Sequence, residues 1–80
     1  MNQSSYYTEY EDTCRVHNTD TGKIKIADVL DFKPGKRLIV SIERVAKVTL
    51  EYNSYHGIYV GSSAKLEFTS EGPSAYEYRF

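Results

Sequence analysis

Residues 38–68 read LIVSIERVAKVTLEYNSYHGIYVGSSAKLEF, and their alternation decides the fold. Leu38, Val40 and Ile42 alternate with Ile39, Ser41 and Glu43, and Val48, Leu50 and Tyr52 with Lys47, Thr49 and Glu51. After a polar corner at Asn53 and Ser54, Ile58 and Val60 alternate with Gly57, Tyr59 and Gly61, then Ala64, Leu66 and Phe68 with Lys65 and Glu67. Successive side chains of an extended chain point to opposite faces, so period two puts one face in the core and the other in water. Four such runs can bury their apolar faces only against one another. The pattern predicts an all-β domain, a small antiparallel β-barrel or sandwich of SH3-like or OB-like size.

The flanking residues extend the prediction to six or seven short strands. Residues 1–12 are expected to form an edge strand or a loosely docked arm, with Tyr6, Thr8 and Tyr10 on one face. Cys14 to His17 reads as a strand, Asn18 to Gly22 as a hairpin turn, and Lys23 to Ile26 as the returning strand with Ile24 and Ile26 on one face. Residues 26–32 do not alternate and fit either one helical turn or a bulged strand. Lys33-Pro34-Gly35-Lys36 predicts a type II turn, because proline presets the first corner and glycine accepts the positive φ of the second. Between Ile42 and Ala46 the phase slips, which predicts a tight turn at Glu43-Arg44 or a bulge in one bent strand. Gly61-Ser62-Ser63 and Ser70-Glu71-Gly72-Pro73 are expected as the next turns. Tyr76, Tyr78 and Phe80 then make a closing strand too apolar to stay unpaired.

Eighty residues make one domain, 1–80, with a small core and modest stability. The composition is ordinary apart from eight tyrosines and no tryptophan. A single cysteine, Cys14, cannot form an internal disulfide, and the first residues lack the basic start and apolar run of a signal peptide. No membrane-spanning run is present either, so a cytoplasmic location is expected. The net charge of −1 is unevenly spread, with a basic segment through Lys33, Lys36, Arg37, Arg44 and Lys47 between acidic ends. A duplex-DNA binder usually carries a far larger basic excess.

Catalysis and metal binding find little support in the residue spacing. Cys14 and His17, with His56 as a third candidate, fall short of the four ligands of structural zinc, and 14 and 17 face opposite sides of a strand. A buried Cys14 and a solvated His17 are the better reading. Asn18, Asp20 and Gly22 begin like a calcium loop, but Val29 stands where the bidentate glutamate belongs. There is no nucleophile elbow and no glycine-rich phosphate cradle. The acid pairs Glu9/Glu11 and Asp28/Asp31 read as solvated surface. The chain is therefore expected to be no enzyme, with no metal, cofactor or small-molecule substrate.

His56-Gly57-Ile58-Tyr59-Val60-Gly61 is the most suggestive segment. If Ile58 and Val60 point inward, Tyr59 points outward with glycines beside it, and Tyr55 shares its face. An uncovered ring anchors a protein partner or stacks on a base; cross-strand packing against a neighbouring aliphatic or lysine stem is the structural alternative. The reading the residues favour is a non-catalytic interaction module. It would bind a protein partner or self-assemble through tyrosine-rich surface, with Tyr7, Tyr10, Tyr55, His56 and Tyr59 as anchors beside Lys33, Lys36, Arg37 and Arg44. Its size and composition suit an accessory protein of a phage or mobile element. The alternative is a single-stranded nucleic-acid-binding barrel that stacks bases on Tyr55 and Tyr59 and holds phosphates with the basic 33–47 segment.

Overall fold

The computed structural model describes residues 6–79, of which the side chains of 6, 78 and 79 are left aside. Eight strands follow one another: β1 (Tyr6–Tyr10), β2 (Thr13–Asn18), β3 (Ile24–Lys33), β4 (Arg37–Ile42), β5 (Ala46–Asn53), β6 (Ile58–Ser63), β7 (Leu66–Ser70) and β8 (Ala75–Arg79). Strands β2 to β7 close a six-stranded antiparallel barrel in sequential order, while β1 and β8 form a separate two-stranded ribbon. The expected barrel is present as an up-and-down meander, with eight strands in all where six or seven were expected. The expected continuation of the last strand to Phe80 lies outside the described residues.

The alternation in β4 and β5 becomes the barrel interior. Leu38, Val40, Val48 and Leu50 are at most 1% exposed, and the register sets Leu38 opposite Leu50 and Val40 opposite Val48. Directly opposed residues share a face, so these four interlock as one layer. Cys14, Val16, Ala27, Ile42, Tyr59 and Phe68 complete the core. Residues 26–32 resolve as a bulged strand, not a helical turn, with the β3–β4 register shifting between Val29 and Asp31. A bulge of this kind bends a long strand around a tight barrel.

Closure is narrow. β2 meets β7 at two ladder positions, His17↔Thr69 and Asn18↔Phe68. Loop contacts extend the seam: Thr19 N–H donates to the Glu67 carbonyl at 3.0 Å, and Glu67 N–H donates to Asp20 Oδ2 at 3.0 Å. Below it, Ser70 Oγ donates to the Arg15 carbonyl at 2.6 Å and accepts from Gly72 N–H at 3.0 Å. Ser70 is thus a buried hydroxyl with its bonds made.

The turns sort into two ends. Lys33–Lys36 turns as expected, with Gly35 at φ 74° and Lys36 N–H donating to the Lys33 carbonyl at 2.9 Å. The Ser54–Gly57 turn stands beside it, because Tyr52 N–H donates to the Lys36 carbonyl at 2.9 Å. The ribbon leaves from this same end, tied by Glu11 N–H to the Ser74 carbonyl at 2.9 Å. At the opposite end lie Asn18–Lys23, Glu43–Val45 and Ala64-Lys65. The expected turn at Gly61-Ser62-Ser63 is not there: these residues belong to β6, and the chain reverses at Ala64 (φ 51°) and Lys65 (φ 66°). Both are left-handed, as a type I′ hairpin requires, without the glycine or asparagine that normally marks one.

Candidate interaction surfaces

The inner face of β6 carries Tyr59, contrary to the outward ring the sequence suggests. Tyr52 pairs with Tyr59 and Tyr59 with Ser70, and Tyr59 is 5% exposed. Ile58 and Val60 are half-buried on the outer side instead. The cause lies one step along the strand. A Cβ on Gly61 would come 2.2 Å from the Thr49 carbonyl oxygen and 3.0 Å from Leu50 Cα. Backbone crosses backbone here, so the inner position must be glycine, and the residue two before it shares that face. Tyr59 is therefore turned inward, and its hydroxyl accepts Gly35 N–H at 2.8 Å. A buried tyrosine needs such a partner for its polar end. Tyr59 is a core residue and carries no binding platform. Leu66 departs from the expected pattern too: although its strand alternates, it is 37% exposed at the barrel mouth.

From Tyr59 a chain of aromatic rings runs outward. Tyr52 lies 5.0 Å from Tyr59, Phe32 lies 5.5 Å from Tyr59 on the other side, and Tyr10 meets Phe32 edge-on at 5.0 Å. Tyr10 is in β1, so this ladder connects the barrel core to the ribbon. Gly72, at φ 89°, passes beside it; a Cβ there would come within 3.4 Å of the Tyr59 and Phe32 rings.

Within the ribbon, Glu9 opposes Tyr76 and Thr8 opposes Glu77. Tyr7, Glu9 and Tyr76 thus share one face, while Thr8, Tyr10 and Glu77 share the face turned to Phe32. Tyr7, Tyr10 and Tyr76 are 43%, 40% and 47% exposed, and Tyr76 Oη donates to the Glu11 carboxylate. Among the described residues β1 and β8 pair only with each other.

Tyr55 occupies the tip of the β5–β6 turn, 89% exposed, with His56 edge-on at 4.9 Å. Asn53 Oδ1 accepts the N–H groups of both residues and fixes the turn. Lys33 and Lys36 are exposed in the neighbouring β3–β4 turn. Arg37 is half-buried, its guanidinium donating to Asp31 at 3.1 Å. Arg44 is at the far end of β4, roughly 20 Å from the Lys36 end for a six-residue strand. The basic segment is therefore divided between the two ends of the barrel and partly neutralised within it. Sequence reasoning treated it as one surface.

Two further concavities were not foreseen. A cleft of about 560 Å³ lies along the narrow seam, lined by Arg15, His17, Ile24, Ile26, Ile58 and Glu71 among others. Ile24 and Ile26 do share a face as expected, but it is the outer one beside His17 and Arg15, and they are 59% and 62% exposed. The signal was available in the sequence: with Val16 and Cys14 inward, strand pairing gives their inner places to Lys25 and Ala27. At the other end, a mouth of about 240 Å³ opens between Val16, Ile42, Leu66 and Phe68, rimmed by Lys23 and Lys25. Lys25 is paired there with Glu43, whose carboxyl it holds below the usual range, by hydrogen bond first and charge second.

Cys14 faces the core and His17 faces outward. Burial pushes the Cys14 thiol up, opposed by its contact with Ser70 Oγ at 3.7 Å. Among the described residues no group of three or more histidine, cysteine, aspartate or glutamate side chains is placed to hold a metal ion, and no helix is long and apolar enough to cross a membrane. No protein-family model, no curated protein and no solved structure matches this chain.

Proposed function

We propose that this chain is a non-catalytic assembly module that binds protein through the β1–β8 ribbon. The observation that carries the reading is the ribbon itself. A two-stranded ribbon is marginally stable in water, yet here one stands off the barrel, with tyrosines 40–47% exposed on both of its faces. Tyrosine offers large contact area at little entropic cost and is enriched at interface hot spots. The barrel, held by its own core, supplies a rigid base to which the Tyr10–Phe32 contact fastens the ribbon. Size and composition further suit a component of a larger assembly, such as an accessory protein of a phage or mobile element.

The test is affinity capture from the native host, comparing the natural chain with Tyr7→Ala and Tyr76→Ala. A protein retained by the natural chain and lost with the ribbon variants supports the reading, whereas capture indifferent to both variants refutes it.

One observation favours a second reading, single-stranded nucleic-acid binding: exposed Tyr55 adjoins the turn carrying Lys33 and Lys36. With Tyr59 buried, one stacking ring remains there. Oligonucleotide affinity that falls steeply with salt and disappears with Tyr55→Ala would establish this reading over the first.

A further inference from the structure

The ladder between β1 and β8 fixes which backbone groups look outward. Glu11 N–H donates to the Ser74 carbonyl, and bonding direction alternates along an antiparallel strand. Glu9 and Tyr7 therefore spend their N–H and C=O groups on β8. Those of Tyr6, Thr8 and Tyr10 are aimed away from it, along an edge that pairs with no other strand among the described residues.

Both outer edges of the ribbon could take another strand, but their charges differ. An edge that pairs with its own copy about a two-fold axis sets its central residue opposite itself. On β8 that residue is Glu77, and like charges directly opposite are unfavourable. On β1 it is Thr8, with Tyr7 opposite Glu9 and position 6 opposite Tyr10. No like charges meet in this register, threonine pairs are favourable across strands, and the central pair coincides with outward-aimed N–H and C=O groups.

Resting on the reading of the ribbon as a protein-binding element, we infer that its partner is a second copy of this chain. Two β1 edges join antiparallel with Thr8 against Thr8, making a four-stranded sheet in the order β8-β1-β1-β8. The contact is isologous and closes at two copies. It also raises the ribbon from two strands to four, above the number an independent sheet needs. A five-residue edge is short, so the dimer belongs to the weak class, with Kd on the order of 100 µM.

The test is mass against concentration by sedimentation and light scattering, from about 10 µM to 1 mM. The natural chain should move from 9.2 kDa towards twice that mass. Thr8→Lys, which meets Glu77 within its own ribbon, places like charges face to face across the two-fold and should weaken the dimer by tenfold or more, while an equimolar mixture with Thr8→Glu should restore association. Thr8→Pro removes the outward N–H without touching the β8 ladder, and should give a monomer with the barrel's circular dichroism unchanged. Three results overturn the inference: a natural chain that is monomeric throughout, a dimer indifferent to the Thr8 charge variants, or a mixture that fails to reassociate. Open-ended growth also overturns it, by placing β1 against the β8 of the next copy. Should the chain be monomeric while Tyr7→Ala still abolishes capture of a protein, the inference falls and the broader reading of the ribbon stands.

Discussion

Replacing Ala64-Lys65 by Asn-Gly should make the protein more stable, although neither side chain contributes to the core. The two residues have φ of 51° and 66°, between Ser63 and Leu66, which pair directly. A left-handed conformation costs an ordinary L-residue about 1–2 kcal/mol. Asparagine recovers part of that at position 64. Glycine recovers nearly all of it at 65, less about 0.5–1 kcal/mol for the freedom it adds to the unfolded chain. The net gain is about 1–1.5 kcal/mol. For a domain of this size each kcal/mol raises Tm by about 4–8 °C, so a rise of about 5–10 °C is expected by calorimetry, with a matching shift of the urea midpoint at constant m. The control is Ser62→Asn with Ser63→Gly, which installs the same dipeptide inside β6 and should lower stability by about 1 kcal/mol. An unchanged or lowered Tm for the 64–65 pair, or a gain from the 62–63 pair, would refute both the turn position and the strain assigned to it.

Gly61→Ala places a methyl group 2.2 Å from the Thr49 carbonyl; neither backbone can retreat without opening β5 from β6, so a loss of about 2–4 kcal/mol should appear in urea unfolding. Tyr59→Phe leaves Gly35 N–H without its acceptor and should cost about 1–2 kcal/mol, measured in the same way. For Cys14, whose thiol is pushed up by burial, the folded chain keeps a proton that the unfolded chain gives up as pH climbs past the ordinary thiol range. Stability should therefore fall with rising pH there, and Cys14→Ala should show a shallower fall over pH 8–9.5 in paired denaturation series. Phe32→Leu removes two edge-to-face ring contacts, each worth about 0.5–1.5 kcal/mol. Amide exchange at Tyr7 and Glu9 should accelerate about 5–10-fold more than at Val40 and Val48; equal acceleration would mean that the ribbon is not held separately from the barrel.

Much of the barrel was legible because its strongest strands obey period two without competition. Leu38, Val40, Val48 and Leu50 read as core and are core, and Pro34-Gly35 announces its turn by chemistry that admits few alternatives. Legibility failed where backbone geometry overruled hydropathy. In β6 the aliphatic residues looked like the inner face, but the crossing at Gly61 fixes the phase, and no hydropathy scale prefers tyrosine and glycine over isoleucine and valine inside. The Ala64-Lys65 reversal carries no turn residue at all, so the nearest glycine and serines drew the prediction three residues early. Phase errors of one residue matter more in strands than in helices, since they exchange the two faces completely. Tyr59 thereby passes from candidate anchor to core, and Tyr10 makes the edge-on contact with Phe32 that joins ribbon to barrel. Nothing in the sequence pattern says that β1 pairs with β8, because a pairing between strands some 70 residues apart depends on how the barrel between them brings their ends together.

The arrangement separates a closed barrel from a ribbon that takes no part in its closure. Six strands close on one another, the last junction being made at two ladder positions between β2 and β7, and closure is the means by which a β-protein stops being a template for other chains. Among the described residues β1 and β8 take no part in the closed ladder and pair only with each other. Tyr10 fastens them to the barrel through the Phe32–Tyr59–Tyr52 stack. Docking on the ribbon should stiffen the barrel's Lys33–Lys36 and Ser54–Gly57 turns, both tied to that stack, through Gly35 N–H on Tyr59 and Tyr52 N–H on Lys36. The turns that carry Lys33, Lys36, Tyr55 and His56 are thus linked through these two hydrogen bonds to the rings that meet the ribbon.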